Sequence, residues 1–121
     1  MVTTTMKNVA IVGHGFVGKA YEHLLKDKHN VTIIDTKYPD YTENVYQSGF
    51  DCYLVCVSTP ASKDGSCDAR NVHAVLEKIP TNTPVCIKST VSLDAWDVIE
   101  AEYPDHKIVY SPEYLREANY L

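Results

Sequence analysis

The chain contains no cluster of basic residues. Its 16 Asp and Glu outnumber its 11 Lys and Arg, for a net charge of -5. That balance excludes a nucleic-acid backbone or an anionic bilayer as the main partner. It contains no C-x-x-C pair either. Cys52, Cys56 and Cys86 fall inside apolar runs and Cys67 in a polar loop, which fits free thiols in a reducing compartment rather than a disulfide framework or a zinc site. His14, His23, His29, His73 and His106 are scattered, without metal-ligand spacing, so no metal is expected. Long apolar runs are missing too: the first, Val9 to Val12, is too short for a secretory leader or a membrane span, and a cytoplasmic location is expected. Glycine is scarce, at 5 residues in 121. Three of the five stand within one short stretch, which makes that stretch informative.

The stretch is Val9-Ala10-Ile11-Val12-Gly13-His14-Gly15-Phe16-Val17-Gly18, an apolar strand followed by G-x-G-x-x-G and the start of a helix. In such a turn Gly13 permits the tight bend, Gly15 lets a pyrophosphate approach the backbone, and Gly18 lets the helix pack closely on the strand. The phosphates would meet amide N–H groups at the positive end of the helix. His14 is expected to face solvent near those phosphates.

At 121 residues, 45% apolar and 22% charged, the chain is sized and composed as one globular domain. Residues 1–6 read as a tail and 7–121 as the folded part. Strands are expected near 8–12, 31–35, 51–57, 85–88 and 106–110. Helices are expected at 16–28, carrying Val17, Ala20, Tyr21, Leu24 and Leu25 inward; at 69–79, capped by Asp68, with Val72, Val75, Leu76 and Ile79 inward; and from Ser92 or Asp94 through Ala95, Val98, Ile99 and Ala101. Tyr38, Tyr41 and Tyr46 are expected to cover a sheet edge, with adenine stacking by one of them left open. Strands alternating with helices define an α/β fold: a Rossmann-like, doubly wound parallel sheet of about five strands in a single domain.

In such sheets ligands bind beyond the carboxyl ends of the strands. The sequence places Gly13 to Gly18, Asp35, Ser58-Thr59-Pro60, Ser89-Thr90 and Ser111-Pro112-Glu113 there. Asp35 follows Gly13 by 22 residues. A carboxylate at that point accepts hydrogen bonds from ribose hydroxyls and repels a 2′-phosphate. NAD is therefore the expected cofactor, while Lys37 leaves NADP open.

Val57-Ser58-Thr59-Pro60, Ile87-Lys88-Ser89-Thr90-Val91 and Ser111-Pro112-Glu113-Tyr114-Leu115-Arg116-Glu117, added to the glycine turn and Asp35, resemble the N-terminal domain of the UDP-glucose/GDP-mannose dehydrogenase family. The resemblance implies oxidation of a nucleotide sugar's primary alcohol to the uronic acid by two hydride transfers to NAD, a step of polysaccharide biosynthesis. It implies that Gly13, Gly15, Phe16, Val17, Gly18 and Asp35 hold NAD and that Thr59 and Thr90 line it. Thr90 would also position a catalytic water, Glu113 would be the acid/base carboxylate, and Glu117 would support cofactor and site. Glu113 and Glu117 are four residues apart, so a helix brings them to one side, where mutual repulsion and burial favour a base active near neutrality. A solvated Glu/Arg surface, or carboxylates held ionised by Arg116 and Lys88, is the plainer alternative.

Two departures from the family pattern bear on activity. The segment between Asp35 and the T-P motif is short, so the sheet is expected to end beyond the second strand, weakening the adenine pocket. The family's catalytic lysine, asparagine and nucleophilic cysteine have no counterpart, so turnover is expected to need a complementary polypeptide or a longer chain. A non-catalytic dinucleotide- or nucleotide-sugar-binding regulator, a homo-oligomer, and a fragment of another Rossmann dehydrogenase of the 3-hydroxyacid type remain open.

Overall fold

A computed structural model describes residues 6–59 and 68–111. The elements run β1 (Asn8–Val12), α1 (Phe16–Leu25), β2 (Asn30–Ile34), a 3-10 helix (Glu43–Gln47), β3 (Cys52–Val55), α2 (Arg70–Leu76), β4 (Pro84–Ile87), α3 (Leu93–Glu102) and β5 (Lys107–Tyr110). The five strands form one parallel sheet in the order β2-β1-β3-β4-β5. This is the Rossmann order without its outermost strand on the β2 side. The segment joining β2 to β3 carries the 3-10 helix in place of a strand, so β2 is an edge, as the short spacing predicts.

Strand alternation sends side chains to two faces. Ala10, Val12, Ile34, Tyr53, Val55, Val85 and Ile87 share the main core with Val72, Val75 and Leu76 of α2, Ile79 beyond it, and Ile99 of α3. On the other face Ile11, fully buried, lies under α1. Along the row Ile11, Leu54, Cys86 and Val109 cover runs out: Leu54 and Cys86 are half-buried and Val109 is 61% exposed.

Tyr46 is the aromatic that enters the core. Its ring stacks on Tyr53, whose hydroxyl donates to the Tyr46 carbonyl, and Phe50 meets Tyr53 edge-on. Trp96 packs as a helix residue, stacked on Tyr110 at 4.8 Å between centroids, and the Tyr110 hydroxyl donates to the Val91 carbonyl.

Several local expectations need correction. Helix α1 stops at Leu25 and residues 26–28 turn; Leu24 is 60% exposed, because the helix turns its inner side through Gly18 and Ala20. Asp68 is not the cap of α2. Ala69 holds that position, and Asp68 accepts instead from the Arg70 N–H and guanidinium. Ser92 caps α3, its Oγ accepting from the Ala95 N–H at 3.1 Å. Val98 and Ala101 face outward rather than inward, since α3 seats Ile99 with Ala95 and Trp96 on the core.

Candidate functional site

The registers align the last residues of all five strands. Val12 pairs with Ile34 and Val55, Val55 with Ile87, and Ile87 with Tyr110. One more backbone bond follows at each junction: Gly13 N–H to Ile34 O at 2.8 Å, Cys56 N–H to Val12 O at 2.7 Å, Lys88 N–H to Val55 O at 2.8 Å, and Ser111 N–H to Ile87 O at 3.0 Å. The chain then leaves the sheet from a level rim, and a cleft of about 570 Å³ opens over it.

Seven of the predicted cofactor residues line that cleft: Gly13, Gly15, Phe16, Val17, Asp35, Thr59 and Thr90. Gly18 lies beneath it as a packing residue. A Cβ there would stand 2.0 Å from the Gly13 carbonyl oxygen, so no side chain fits between α1 and the turn. Gly13 has φ +94, and a Cβ on it would meet the Cys56 carbonyl at 2.8 Å. Gly15 is the opposite case, with nothing within 4 Å of a Cβ position. The space above Gly15 is open exactly where α1 begins. Helix α1 has no side-chain cap and no acidic residue in its first turn, which leaves its positive end to an external anion.

Asp35 is fastened to this turn. One oxygen accepts the His14 N–H at 2.7 Å and the other the Lys37 N–H at 3.0 Å. Burial works against the charge, but these two amides and the charges of Lys37 and His14 outweigh it and hold the carboxyl below its usual range. The Lys37 ammonium is 3.9 Å from Asp35 and donates to the His14 carbonyl at 2.6 Å.

His14 does not face solvent, contrary to expectation. Its imidazole contacts the Tyr38 hydroxyl through Nδ1 and Glu22 Oε1 through Nε2, the latter at 2.7 Å, and only 14% of the side chain is exposed. The ring folds back because the loop after β2 returns Tyr38 to it. Glu22 is accordingly half-buried.

The other wall comes from the β3 and β4 ends. Thr59 Oγ1 donates to the Thr90 carbonyl at 2.6 Å, and the buried Ser89 donates to the Val57 carbonyl at 2.7 Å. Lys88 reaches across to Ser111 Oγ at 3.0 Å and lies over the Tyr21 ring. Helix α2 and the residues beyond it supply Asn71, Ala74, Val75 and Lys78 to the cleft, positions that share one helical side. Asn71 donates to the Ser58 carbonyl at 2.9 Å, and Lys78 donates to the Tyr41 hydroxyl at 3.5 Å. Sequence reasoning missed this contribution, since a polar helix position reads the same whether it meets water or a cleft. Tyr41 and Tyr46 line the same end; burial raises the Tyr46 phenol well above its ordinary value.

Glu113 and Glu117, with Arg116, lie outside the described residues. Among the described residues no cluster of three or more His, Cys, Asp and Glu could hold a metal, and no helix is long and apolar enough to cross a membrane.

A parallel sheet with a glycine turn, an acid at the end of the second strand and a cleft over the rim defines a dinucleotide-binding α/β domain. Comparison with known proteins makes the class specific. Residues 36–121 match the family model of the UDP-glucose/GDP-mannose dehydrogenase family, NAD binding domain. The chain belongs to that family, as its NAD-binding domain, and the cofactor of this domain is NAD. A curated relative, UDP-glucose 6-dehydrogenase of Campylobacter jejuni subsp. jejuni serotype O:2, is 31% identical over 86 residues, covering 66% of this chain and 22% of that protein. The chain thus spans about a fifth of its relative's length. Among solved structures, a UDP-glucose dehydrogenase from Pyrobaculum islandicum superposes with a TM-score of 0.71 at 20% identity, over 97% of this chain and 38% of that one. GDP-mannose dehydrogenase from Pseudomonas aeruginosa gives 0.69 at 21%, over 90% and 36%. A 3-hydroxyisobutyrate dehydrogenase from Mycobacterium tuberculosis gives 0.60 at 16%, over 88% and 39%. At these identities the structural likenesses speak for the fold, and the family match ranks the nucleotide-sugar dehydrogenases above the 3-hydroxyacid type.

Proposed function

We propose that residues 7–121 act as the NAD-binding domain of a UDP-glucose 6-dehydrogenase-like enzyme, which oxidises a nucleotide sugar's alcohol to the uronic acid. The observation that carries this reading is the joint placement of Gly15, open above α1, and Asp35, bound to the neighbouring amide, on one wall of one cleft. The pyrophosphate would lie over Gly13 and Gly15 at the start of α1, with Phe16 and Val17 against it and Gly18 holding the helix close. Asp35 would take the adenosine ribose hydroxyls on the lone pairs that its two amide contacts leave open. Thr59 and Thr90 would border the nicotinamide half. NAD supplies the hydride acceptor when bound; this chain's residues bind and orient it and keep water from its faces.

In the same reading Thr90 positions a water, Glu113 serves as the acid/base and Glu117 supports the cofactor. The substrate-binding and thiol chemistry would come from a complementary polypeptide or further chain, in a cytoplasmic pathway of polysaccharide synthesis. Isothermal titration with NAD, NADP and NADH tests the binding claim. Micromolar affinity for NAD is expected, with strong loss in Asp35→Ala and no turnover of UDP-glucose by these 121 residues alone. Absence of NAD binding by the wild-type chain would sink the reading, and turnover would sink the need for a complementing part.

A further inference from the structure

We propose that His14 is a positioning residue for the dinucleotide and makes its binding proton-linked; the inference rests on the NAD-site reading above. Every polar atom of His14 is engaged. Its N–H goes to Asp35 and its carbonyl accepts from Lys37, while its two ring nitrogens meet Tyr38 and Glu22. One residue thereby joins the glycine turn to α1 and to the loop that follows β2. Among the described residues no further strand lies beyond β2 to back that loop.

The partners settle how the ring behaves. An ionised Glu22 only accepts, so a neutral ring donates from Nε2 and accepts the Tyr38 O–H at Nδ1. A protonated ring donates from both nitrogens, and the Tyr38 oxygen accepts instead. Both forms complete both contacts, so a proton enters without breaking the network. The added charge arises on a ring that lines the same cleft as Gly13 and Gly15, beside which the pyrophosphate would lie. Glu22 on α1 favours that charge, as does Asp35 beyond β2; Lys37 opposes it, and Tyr38 is neutral. An anionic ligand on the turn adds to the favourable side. Binding then takes up a proton, and affinity rises as pH falls.

The test is calorimetry with NAD from pH 5.5 to 8.5 on the wild-type chain, His14→Gln, His14→Phe and Glu22→Gln, each first shown to be folded by circular dichroism. Wild type is expected to tighten by about threefold to tenfold toward low pH, with proton uptake seen in buffers of different ionisation enthalpy. His14→Gln, which keeps a donor and an acceptor but takes no proton, is expected to bind within about threefold of wild type at pH 8 and to lose the pH dependence. His14→Phe is expected to bind about tenfold more weakly at pH 8. Glu22→Gln should reduce the proton uptake. Wild-type affinity and an unchanged pH profile in His14→Gln and His14→Phe would overturn the inference while leaving the NAD site standing. Failure of the wild-type chain to bind NAD would instead strike the site reading itself.

Discussion

The Thr59 hydroxyl donates to the Thr90 carbonyl at 2.6 Å, across the gap between the ends of β3 and β4. Two motifs 31 residues apart are thus one side of a single cleft. Thr59→Val keeps the shape and removes the donor. Since the bond is exposed, folding stability should change by less than about 1 kcal/mol, while NAD affinity should fall several-fold. A thermal melt beside a titration separates the two, and an unchanged affinity would remove Thr59 from the site.

The glycines should divide cleanly. Gly18→Ala puts a methyl 2.0 Å from the Gly13 carbonyl oxygen, and destabilisation of about 2 kcal/mol or more is expected. Gly15→Ala meets nothing within 4 Å and should melt close to wild type, yet lose NAD binding by more than about tenfold. Denaturant unfolding of both variants checks the contrast. A stable Gly18→Ala would contradict the packing described.

Asp35 ties stability to pH. Its carboxyl is held below its unfolded value, so its contribution is present above about pH 4 and drains away as pH falls through the lower, folded value. Asp35→Asn should therefore melt roughly 2 to 5 °C below wild type at pH 7. The gap should close on acidification toward pH 3. A gap constant in pH would mean that the charge plays no part.

Asn71 lies on the exposed side of α2 and donates to the Ser58 carbonyl at 2.9 Å. Asn71→Ala should leave the melting temperature nearly unchanged and weaken NAD binding by about threefold to tenfold. Equal affinity in a titration would confine α2 to a structural role.

The sheet was legible in the sequence because its strands are short apolar runs that end in glycine, acid or hydroxyl residues. The rim residues Gly13, Asp35, Thr59 and Thr90 followed from those endings. Asn71 and Lys78 were not legible: polar positions on a helix look alike whether they meet water or a cleft. The fate of His14 depended on Tyr38 returning from a loop, a contact 24 residues away that no periodicity encodes. Leu24 and Val98 erred the other way, because these helices bury a narrower side than their apolar residues would fill.

The level ending of the five strands has an evolutionary consequence. Below that row, side chains are held by their strand neighbours and, on the main core face, by helices, and a one-residue slip would turn them to the wrong face. Above it, each loop starts from a common plane and is tied to the sheet by a backbone bond at its root. Sequence above the row can therefore drift, lengthen or exchange chemistry more freely than sequence below it. Such a scaffold can change what it holds while leaving unchanged how it folds.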